Sequence, residues 1–376
     1  MGGYPVQLRE NAIDLTRDGE QISVWDVRLK RDARNAFDIV RLVLATLVVL
    51  EHSYFLVENT TAKDPLSVLS CGQMNFGQFA VYLFFALSGF LVTNSFCESS
   101  STASFIAKRI ARIVPGFLVA SAVGWLIVGP LTADHFDSYF SSQNWRSLII
   151  QVLALKQTNV AGVLEGNPVR LAHGTLWTIQ YEFDCYILLA LFGALGFLRR
   201  AARPKFYLAL GAVIALSMAT GLPSVSYGLL GLLISSPERW PDLFPFFFLG
   251  SAFFLFRDRI PKSGFLCASG LAAIMLSFIS GVGAYFALLF CGVYALLYVA
   301  LSFAGDIVIR NRRVDLSYGV YLYGWPIQQL LLYYSGMRLS PMALFLAAVA
   351  FSYPAAWASW TFIERPCLRL AHRRSL

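Results

Sequence analysis

The chain has 376 residues, of which 57% are hydrophobic and 14% are charged, against about a quarter charged in ordinary soluble domains. A globular core of this size cannot bury so much apolar surface, so the composition excludes a soluble globular protein and predicts that lipid surrounds most of the chain. The net charge of +8 comes from short basic groups between apolar runs, which argues against nucleic acid as a partner. Six scattered cysteines without CxxC spacing predict neither a disulfide framework nor a metal site.

Long apolar runs recur after a polar, charged segment, residues 1–36, that has no signal-peptide pattern. Each run is near the ~20 residues that cross about 30 Å of hydrocarbon. They predict an all-α, polytopic membrane protein with about ten transmembrane helices. The count ranges from nine to eleven, because only Gly281 and Gly283 separate the seventh helix from the eighth. Segments 147–156 and 225–235 are too short to span and are expected to be re-entrant or interfacial. The predicted helices are 37–57, 77–97, 114–131, 174–198, 205–222, 242–256, 265–282, 284–304, 317–335 and 341–363.

The distribution of Lys and Arg gives an orientation, because cytoplasmic loops retain these residues. With the N-terminus inside, 23 of the 30 Lys and Arg residues fall on inner segments and six on outer segments, with Arg41 left in the membrane. The chain is therefore predicted to be N-in and C-in, with a membrane domain at 37–366 between a cytoplasmic segment, 1–36, and a basic cytoplasmic tail, 367–376. The longest loop, 132–173, is predicted to lie on the outer face.

The first predicted helix, FDIVRLVLATLVVLEHSYF, carries charged groups that are costly in lipid and often functional. Arg41 and His52 are eleven residues apart, about 16 Å along the axis, and lie on nearly the same face. Histidine suits proton transfer from a hydroxyl, and arginine suits a phosphate or carboxylate. The alternative is that Arg41 snorkels to the headgroups and that His52 is an interfacial histidine beside Glu51.

The second predicted helix, FGQFAVYLFFALSGFLVTNSF, has a small pair, Ser88 and Gly89, at its middle. Such a pair allows close approach either of a ligand or of a neighbouring helix, and tight packing alone would explain it.

The next segment, KRIARIVP, places Lys108, Arg109 and Arg112 at the predicted cytoplasmic end of the third helix, which is expected to start at Pro115. This cluster is able to hold the phosphates of a nucleotide-like donor. The alternative is an anchor at the headgroups.

Two carboxylates lie in the fourth predicted helix, HGTLWTIQYEFDCYILLAL. Glu182 and Asp184 are two residues apart and so face different directions. They favour a functional cavity, although pairing with an inward-facing partner such as Arg41 is the alternative. The ninth predicted helix, SYGVYLYGWPIQQLLLYY, supplies Tyr318 and Trp325 to a possible sugar-binding wall, or its tyrosines to an interfacial belt.

In this order, the segments resemble acyltransferase family 3, integral membrane proteins whose bacterial members mostly O-acetylate surface or exported glycans. The resemblance covers residues 35–366 and rests on FDIVRLVLATLVVLEH, FFALSGFLVTNS, KRIARIVP and LWTIQYEFDCY, with SYGVYLYGWP and FIERP as weaker blocks. It implies transfer of an acyl group, in the first instance acetyl, from cytoplasmic acyl-CoA to a carbohydrate or glycolipid hydroxyl across a bacterial inner membrane. Acetyl-CoA is then a co-substrate, and no permanently bound cofactor is expected.

The resemblance also implies roles for individual residues. The catalytic set is Arg41, His52 and Glu182. The donor-binding set is Lys108, Arg109, Arg112 and Ser88. The acceptor-binding set is Tyr318, Asp184 and Trp325. Two departures are that Gly324 and Trp325 stand where many members have a histidine, and that no C-terminal hydrolase-like domain is expected.

The expected mechanism leaves several alternatives open. His52 either deprotonates the acceptor hydroxyl or carries the acyl group transiently, while Glu182 orients His52, balances its charge or binds the acceptor. Arg41 lies too far along the helix to touch the same atoms and is expected either to position the donor or to stabilise a carboxylate. The rival functions are a glycan or lipid-precursor transporter or flippase, which should show two related halves, and an acyltransferase for a secondary metabolite. The oligomeric state is not predicted.

Overall fold

A computed structural model describes residues 36–220, 231, 234–303 and 314–374, together with four two-residue strands. Most of the predicted N-terminal segment, and most of the apolar segment 225–235, lie outside the described residues. The described part is almost entirely helical, as predicted. The strands pair antiparallel, β1 (Thr16–Arg17) with β2 (Glu20–Gln21) and β3 (Val308–Ile309) with β4 (Arg312–Arg313).

Helices carry the architecture, and π turns interrupt some of them at Gly124–Val128, Leu288–Gly292 and Trp360–Glu364. Single 3₁₀ turns lie at Pro237–Arg239 and Arg257–Arg259. The helices are α1 (Phe37–Glu58), α2 (Pro65–Leu69), α3 (Phe76–Cys97), α4 (Thr102–Leu131), α5 (Phe136–Ser142), α6 (Trp145–Leu153), α7 (Trp177–Ala194), α8 (Arg203–Thr220), α9 (Trp240–Phe256), α10 (Gly264–Ser280), α11 (Ala284–Ser302), α12 (Ser317–Tyr334), α13 (Pro341–Ser359) and α14 (Arg365–Arg374).

Every predicted membrane helix coincides with an observed helix. Five helices are long and apolar enough to cross a membrane: α1, α3, α4, α11 and the continuous helix that joins α13 to α14. The predicted division between the seventh and eighth helices is confirmed, because Gly281 and Gly283 both have positive φ, 73° and 80°, and end one helix before the next begins. The chain is thus a helical, multi-pass membrane protein, and the count of ten spans stays a prediction.

The third helix begins earlier than predicted. It starts at Thr102, where the Ser101 hydroxyl accepts a hydrogen bond from the Ser104 amide at 3.1 Å, and Pro115 lies inside it. The prediction was wrong because proline was taken as a start signal, although a membrane helix packed by its neighbours tolerates an internal proline. The basic residues of KRIARIVP therefore lie on a helix rather than before one.

The last helix also runs further than predicted. It continues from α13 through the π turn Trp360–Glu364 into α14 and ends at Arg374. The predicted end at residue 363 is wrong, because the helix continues through the π turn and holds Pro366 inside it, as membrane helices packed by their neighbours can. The predicted basic tail is helical as far as Arg374.

Large apolar side chains are exposed on the outside of the helices. Leu208 on α8 is 78% exposed and Phe265 on α10 is 79% exposed. Such side chains would be unfavourable in water and are suited to lipid.

The tightest helix contact joins α3 to α9. A Cβ added at Gly89 would lie 1.9 Å from the Phe247 carbonyl oxygen, and one added at Gly250 would lie 1.9 Å from the Ala86 carbonyl oxygen. Each glycine therefore faces the backbone of the other helix, and the two backbones come into contact. The packing interpretation of Gly89 is confirmed, and it holds α3 in a fixed position for the site described below.

We expect Gly89→Ala to separate α3 from α9 and to lower the free energy of unfolding by about 1–3 kcal/mol, as overpacking does in other cores. The measurement is the melting temperature of the purified protein in detergent. The matched control is Gly211→Ala on α8, since a Cβ there meets nothing within 4 Å. Equal melting temperatures for the two variants would contradict the close contact.

Candidate active site

Three cavities follow one another along α1, α3 and α12. The first, about 260 Å³, is lined by basic residues and is called the basic cavity. The second, about 60 Å³, is called the junction. The third, about 500 Å³, contains His52 and is called the His52 cavity. Ser88 and Glu182 line both the basic cavity and the junction, while Val81 and Tyr321 line both the junction and the His52 cavity.

Asp315, just before α12, organises the basic cavity. Its Oδ2 accepts a hydrogen bond from Arg41 Nη1 of α1 at 2.8 Å and one from Arg112 Nη2 of α4. The other carboxylate oxygen accepts from the Ser317 amide at 3.1 Å and from the Ser317 hydroxyl. Burial raises the pKa of Asp315, but the charges of Arg41 and Arg112 and the hydrogen bonds from Ser317 lower it by more. The net effect is a pKa below the usual value, so the carboxylate is ionised at neutral pH.

Arg112 is the most heavily paired of the basic residues. Its Nη1 lies 3.6 Å from Glu364 Oε2, in the π turn between α13 and α14, and its guanidinium lies over the Tyr318 ring at 5.6 Å. Its side chain is only 14% exposed. Arg112 therefore joins α4 to α12 and to the C-terminal helix, and the headgroup-anchor alternative is wrong for it.

Arg109, one turn earlier on α4, is less strongly paired than Arg112. It also lines the basic cavity, donates a hydrogen bond to Ser95 Oγ at 3.2 Å, and has Nε buried without a hydrogen-bond partner in the described part of the chain. Its guanidinium lies 5.7 Å from the centre of the Phe105 ring and 5.9 Å from that of Tyr186. Lys108 points elsewhere, donating to Ser99 Oγ at 3.2 Å, and is not among the residues that line the basic cavity.

Ser88 of α3 and Glu182 of α7 form a hydrogen-bonded group at the junction, which α1 and α12 also line. Ser88 Oγ donates to Glu182 Oε1 at 3.1 Å and lies 3.0 Å from the Tyr186 hydroxyl, which also donates to Glu182. Apolar side chains, among them Val81, Phe84, Phe85 and Ile179, line much of the rest of the wall. Ser88 and its neighbour Gly89 thus point to opposite surroundings, since successive helical residues are about 100° apart.

His52 is held at the far end of the site by an acid and a ring. Its Nε2 lies 3.5 Å from Glu51 Oε2, and its ring meets the edge of Trp325 with centroids 4.8 Å apart. Its Nδ1 has no hydrogen-bond partner among the described residues. Glu51 is buried and packs against Gly77, where an added Cβ would lie 2.8 Å from Glu51 Oε2.

The His52 cavity combines aromatic surfaces with hydrogen-bonding groups. Its volume falls within the range of small-molecule pockets. The loop at 132–173 contributes Gln157, Val169 and Leu171 to its wall. Its aromatic and polar lining residues include Tyr82, Trp177, Trp325, Asn75, Gln78, Arg239 and Asp242.

The structure brings most of the predicted site residues to one line of cavities, with changes of position for Glu182, Tyr318 and Asp184 in addition to Lys108. Glu182 bonds to Ser88 and Tyr186 in the junction, and the acid beside His52 is Glu51 instead. Tyr318 lines the basic cavity, not the His52 cavity. Asp184 accepts hydrogen bonds from the Ser235 amide at 2.9 Å and from its hydroxyl, and is not among the residues that line the three cavities.

Two acidic residues at the basic cavity were missed by the sequence reasoning. Asp315 lies just before the SYGVYLYGWP block, outside the predicted helix, so it was not counted among the charges in the membrane. Glu364 stands inside the FIERP block, which was noted without a role. The surplus of buried arginines was the available signal, because buried guanidiniums require acidic partners.

The comparisons with known proteins identify the family of the chain. The sequence pattern of a family described as "Acyltransferase domain" matches residues 34–361. The chain belongs to acyltransferase family 3. It is 28% identical over 344 residues to a protein named "O-acetyl transferase" from Shigella phage Sf6, covering 88% of this chain and 95% of that protein. It is 26% identical over 362 residues to "Nodulation protein 10" from Rhizobium leguminosarum bv. viciae, covering 90% and 94% respectively. No solved structure gives a significant match.

Family membership and the O-acetyl transferase relative establish a membrane acyltransferase of the O-acyltransferase type. Arg41 and His52, the two residues that the family resemblance marks as essential, lie at opposite ends of the line of cavities. The junction, which Arg41 lines, and the cavity that His52 lines share the residues Val81 and Tyr321.

We expect Asp315→Asn to lower the free energy of unfolding by about 3–5 kcal/mol, because it leaves two largely buried guanidiniums without their acid. The measurement is thermal unfolding in detergent. The control is Glu58→Gln, which removes the exposed partner of Lys63 and should cost less than about 1 kcal/mol. Similar losses in the two variants would show that Asp315 does not hold α1, α4 and α12 together.

Proposed function

We propose that the protein transfers an acetyl group from cytoplasmic acetyl-CoA to a hydroxyl of a surface or exported carbohydrate. The observation that carries the proposal is the line of cavities, which joins an arginine-rich end to a histidine on the same helix. A donor with a phosphorylated head and a thioester tail suits the first end, and an acceptor with hydroxyls suits the second.

The basic cavity is the proposed donor end. Asp315 and Glu364 neutralise much of the charge of Arg41 and Arg112. Arg109 is therefore the guanidinium most available to a phosphate. Arg41, at the border of the junction, positions the pantetheine arm as it enters. The positive-inside rule supports a cytoplasmic location for this end, with ten spans, N-in and C-in, in a bacterial inner membrane.

The His52 cavity is the proposed acceptor end. Aromatic faces such as Trp177 and Trp325 pack on the apolar face of a sugar ring, and the amides of Asn75 and Gln78 bond its hydroxyls. Tyr318 and Asp184 have no part in this binding, because they lie elsewhere. Under the proposed topology this cavity opens to the outer face, beneath the loop at 132–173.

His52 is the proposed general base, with Nδ1 as the nitrogen that takes the acceptor proton. Nε2 faces Glu51, which keeps the imidazole oriented and stabilises the imidazolium. The acceptor oxygen forms a bond to the thioester carbon, the carbon–sulfur bond breaks, and the proton passes through His52 to the CoA sulfur. In the alternative, His52 carries the acetyl group before the acceptor takes it. Glu182, hydrogen-bonded to Ser88 in the junction, shapes the path of the thioester.

The small size of the junction supports a short acyl group. It is far smaller than the cavities on either side, and Phe84 and Tyr321 line it. Acetyl is the shortest of the acyl groups that common acyl-CoA donors carry. The proposed thioester must pass here to reach His52, so the junction selects the acyl chain.

We expect His52→Ala to abolish transfer of label from [¹⁴C]acetyl-CoA to the glycan fraction of membranes that contain the protein, because it removes the nitrogen proposed to take the acceptor proton. The control is His135→Ala, which removes an exposed histidine at the start of α5 and should leave transfer unchanged. Both proteins should reach the membrane in equal amounts. Full transfer by the His52 variant would overturn its role, and no transfer by wild type from any acyl-CoA would favour a transporter.

We expect Phe84→Ala to widen the junction and to raise the rate with butyryl-CoA relative to acetyl-CoA by about tenfold, as one or two methylenes change discrimination in an apolar pocket. The measurement is the ratio of kcat/KM for the two donors. The control is Phe265→Ala, which removes an exposed ring far from the junction. An unchanged ratio in the Phe84 variant would place the selection of the acyl chain elsewhere.

A further inference from the structure

Two of the residues that line the His52 cavity have a buried polar atom without a hydrogen-bond partner in the described part of the chain. One is His52, at Nδ1, and the other is Gln157, at Oε1, from the loop at 132–173. An amide oxygen accepts hydrogen bonds, and so does Nδ1 when the imidazole proton is on Nε2. An unpaired acceptor away from water is costly, so most such atoms in proteins have a partner. The two atoms therefore suit a ligand that brings two donors, such as a sugar with two hydroxyls.

The other two amide side chains on the wall of the His52 cavity use their oxygens to cap α3. Asn75 Oδ1 accepts a hydrogen bond from the Gln78 amide at 2.7 Å, and Gln78 Oε1 accepts one from the Asn75 amide at 3.2 Å. This capping box engages both oxygens and leaves the two NH₂ groups to donate to a ligand. Gln157 is therefore the amide on this wall whose oxygen is unpaired.

The turn that ends α6 sets the position of Gln157. The Leu155 amide donates to the Val152 carbonyl at 3.0 Å and the Lys156 amide to the Gln151 carbonyl at 2.8 Å, which are the hydrogen bonds of a Schellman motif. Leu155 stands where glycine is usual in this motif and has a φ of 56°, a conformation that costs energy for a residue with a side chain. Its side chain is buried in the core, which holds the turn in place.

The residues on either side of Gln157 are anchored as well. Lys156 Nζ donates a hydrogen bond to the Gly231 carbonyl, and Trp125 Nε1 of α4 donates to Thr158 Oγ1 at 2.8 Å. Thr158 is buried. A side chain between two such anchors is preorganised, and a few fixed polar groups in an otherwise apolar pocket determine how a ligand is oriented.

We propose that Gln157 selects which hydroxyl of the acceptor is acetylated, because its Oε1 accepts a hydrogen bond from a second hydroxyl of the same sugar. This inference rests on the proposed function, in which His52 takes the proton of the reacting hydroxyl. With one hydroxyl at His52 and another at Gln157, the ring is restricted to one orientation. A different hydroxyl at His52 would leave the Gln157 oxygen unpaired, so its transfer is slower. Gln157 thus binds the acceptor and takes no part in the proton transfer.

The test is the position of the acetyl groups in the glycan fraction of membranes that contain the protein, measured by NMR after incubation with [¹³C]acetyl-CoA. Gln157→Met keeps the length of the side chain and removes the acceptor oxygen. We expect it to lower the ratio of the main acetylated position to all other positions about fivefold, as loss of one hydrogen bond does. Gln157→Asn, which withdraws the oxygen by one methylene, should show a similar loss.

Three further readouts separate this role from a structural one. Gln157→Glu keeps an acceptor oxygen and should retain the wild-type ratio. The KM for acetyl-CoA should be unchanged in all the variants, because the proposed donor end is the basic cavity. The matched control is Gln151→Met, the same substitution on the same loop, at a side chain that bonds to Ser147 Oγ at 2.9 Å and is not among the residues that line the His52 cavity.

The outcomes distinguish this inference from the proposed function. A wild-type ratio in Gln157→Met and Gln157→Asn, or equal losses in Gln151→Met and Gln157→Met, would overturn the role of Gln157 and leave the acetyltransferase in place. Melting temperatures in detergent show which variants fold, and Gln157→Asn serves if Gln157→Met does not. A wild type that places no label in the glycan fraction would contradict the proposed function, and the role of Gln157 with it.

Discussion

The ion pairs of Asp315 are the constraint on which the site depends. One carboxylate receives Arg41 from α1 and Arg112 from α4, and Arg112 continues to Glu364 beside the C-terminal helix. These elements are far apart in the sequence and would otherwise be free to slide in lipid, where no hydrophobic force drives helices together. Charges removed from water must be paired, so the network admits few arrangements of the helices. Arg109, one turn from Arg112, lies outside these ion pairs, and its Nε is buried without a hydrogen-bond partner among the described residues.

Helix α3 packs against α9 on one side and lines the junction on another. Gly89 brings its backbone against α9, whereas Ser88, the preceding residue, faces the junction. The packing and functional interpretations of this small pair are therefore compatible. The close contact fixes the side of α3 that lines the cavities, and a shift of the helix would change the width of the junction.

Helical periodicity explains which site residues were predictable. Arg41 and His52 were placed on one face because eleven residues make about three turns, and both line the same row of cavities. Glu182 and Asp184 were expected to diverge, and they do, with Asp184 bonded to Ser235. Spacing alone does not show which of the two carboxylates faces the cavity. The family resemblance assigned Tyr318 to the acceptor, although its place at the first turn of α12 puts it beside Arg112.

The sequence by itself determined the class of the protein, the positions of its helices and its family, because apolar length, turn residues and motif order are local properties of the chain. The tertiary structure decided the partners of each charge: Asp315 for Arg41, Glu51 for His52 and Ser88 for Glu182. These partners depend on how the helices are arranged around one another. In lipid that arrangement is set by the pairing of buried charges and the close fit of small residues, which involve residues hundreds of positions apart.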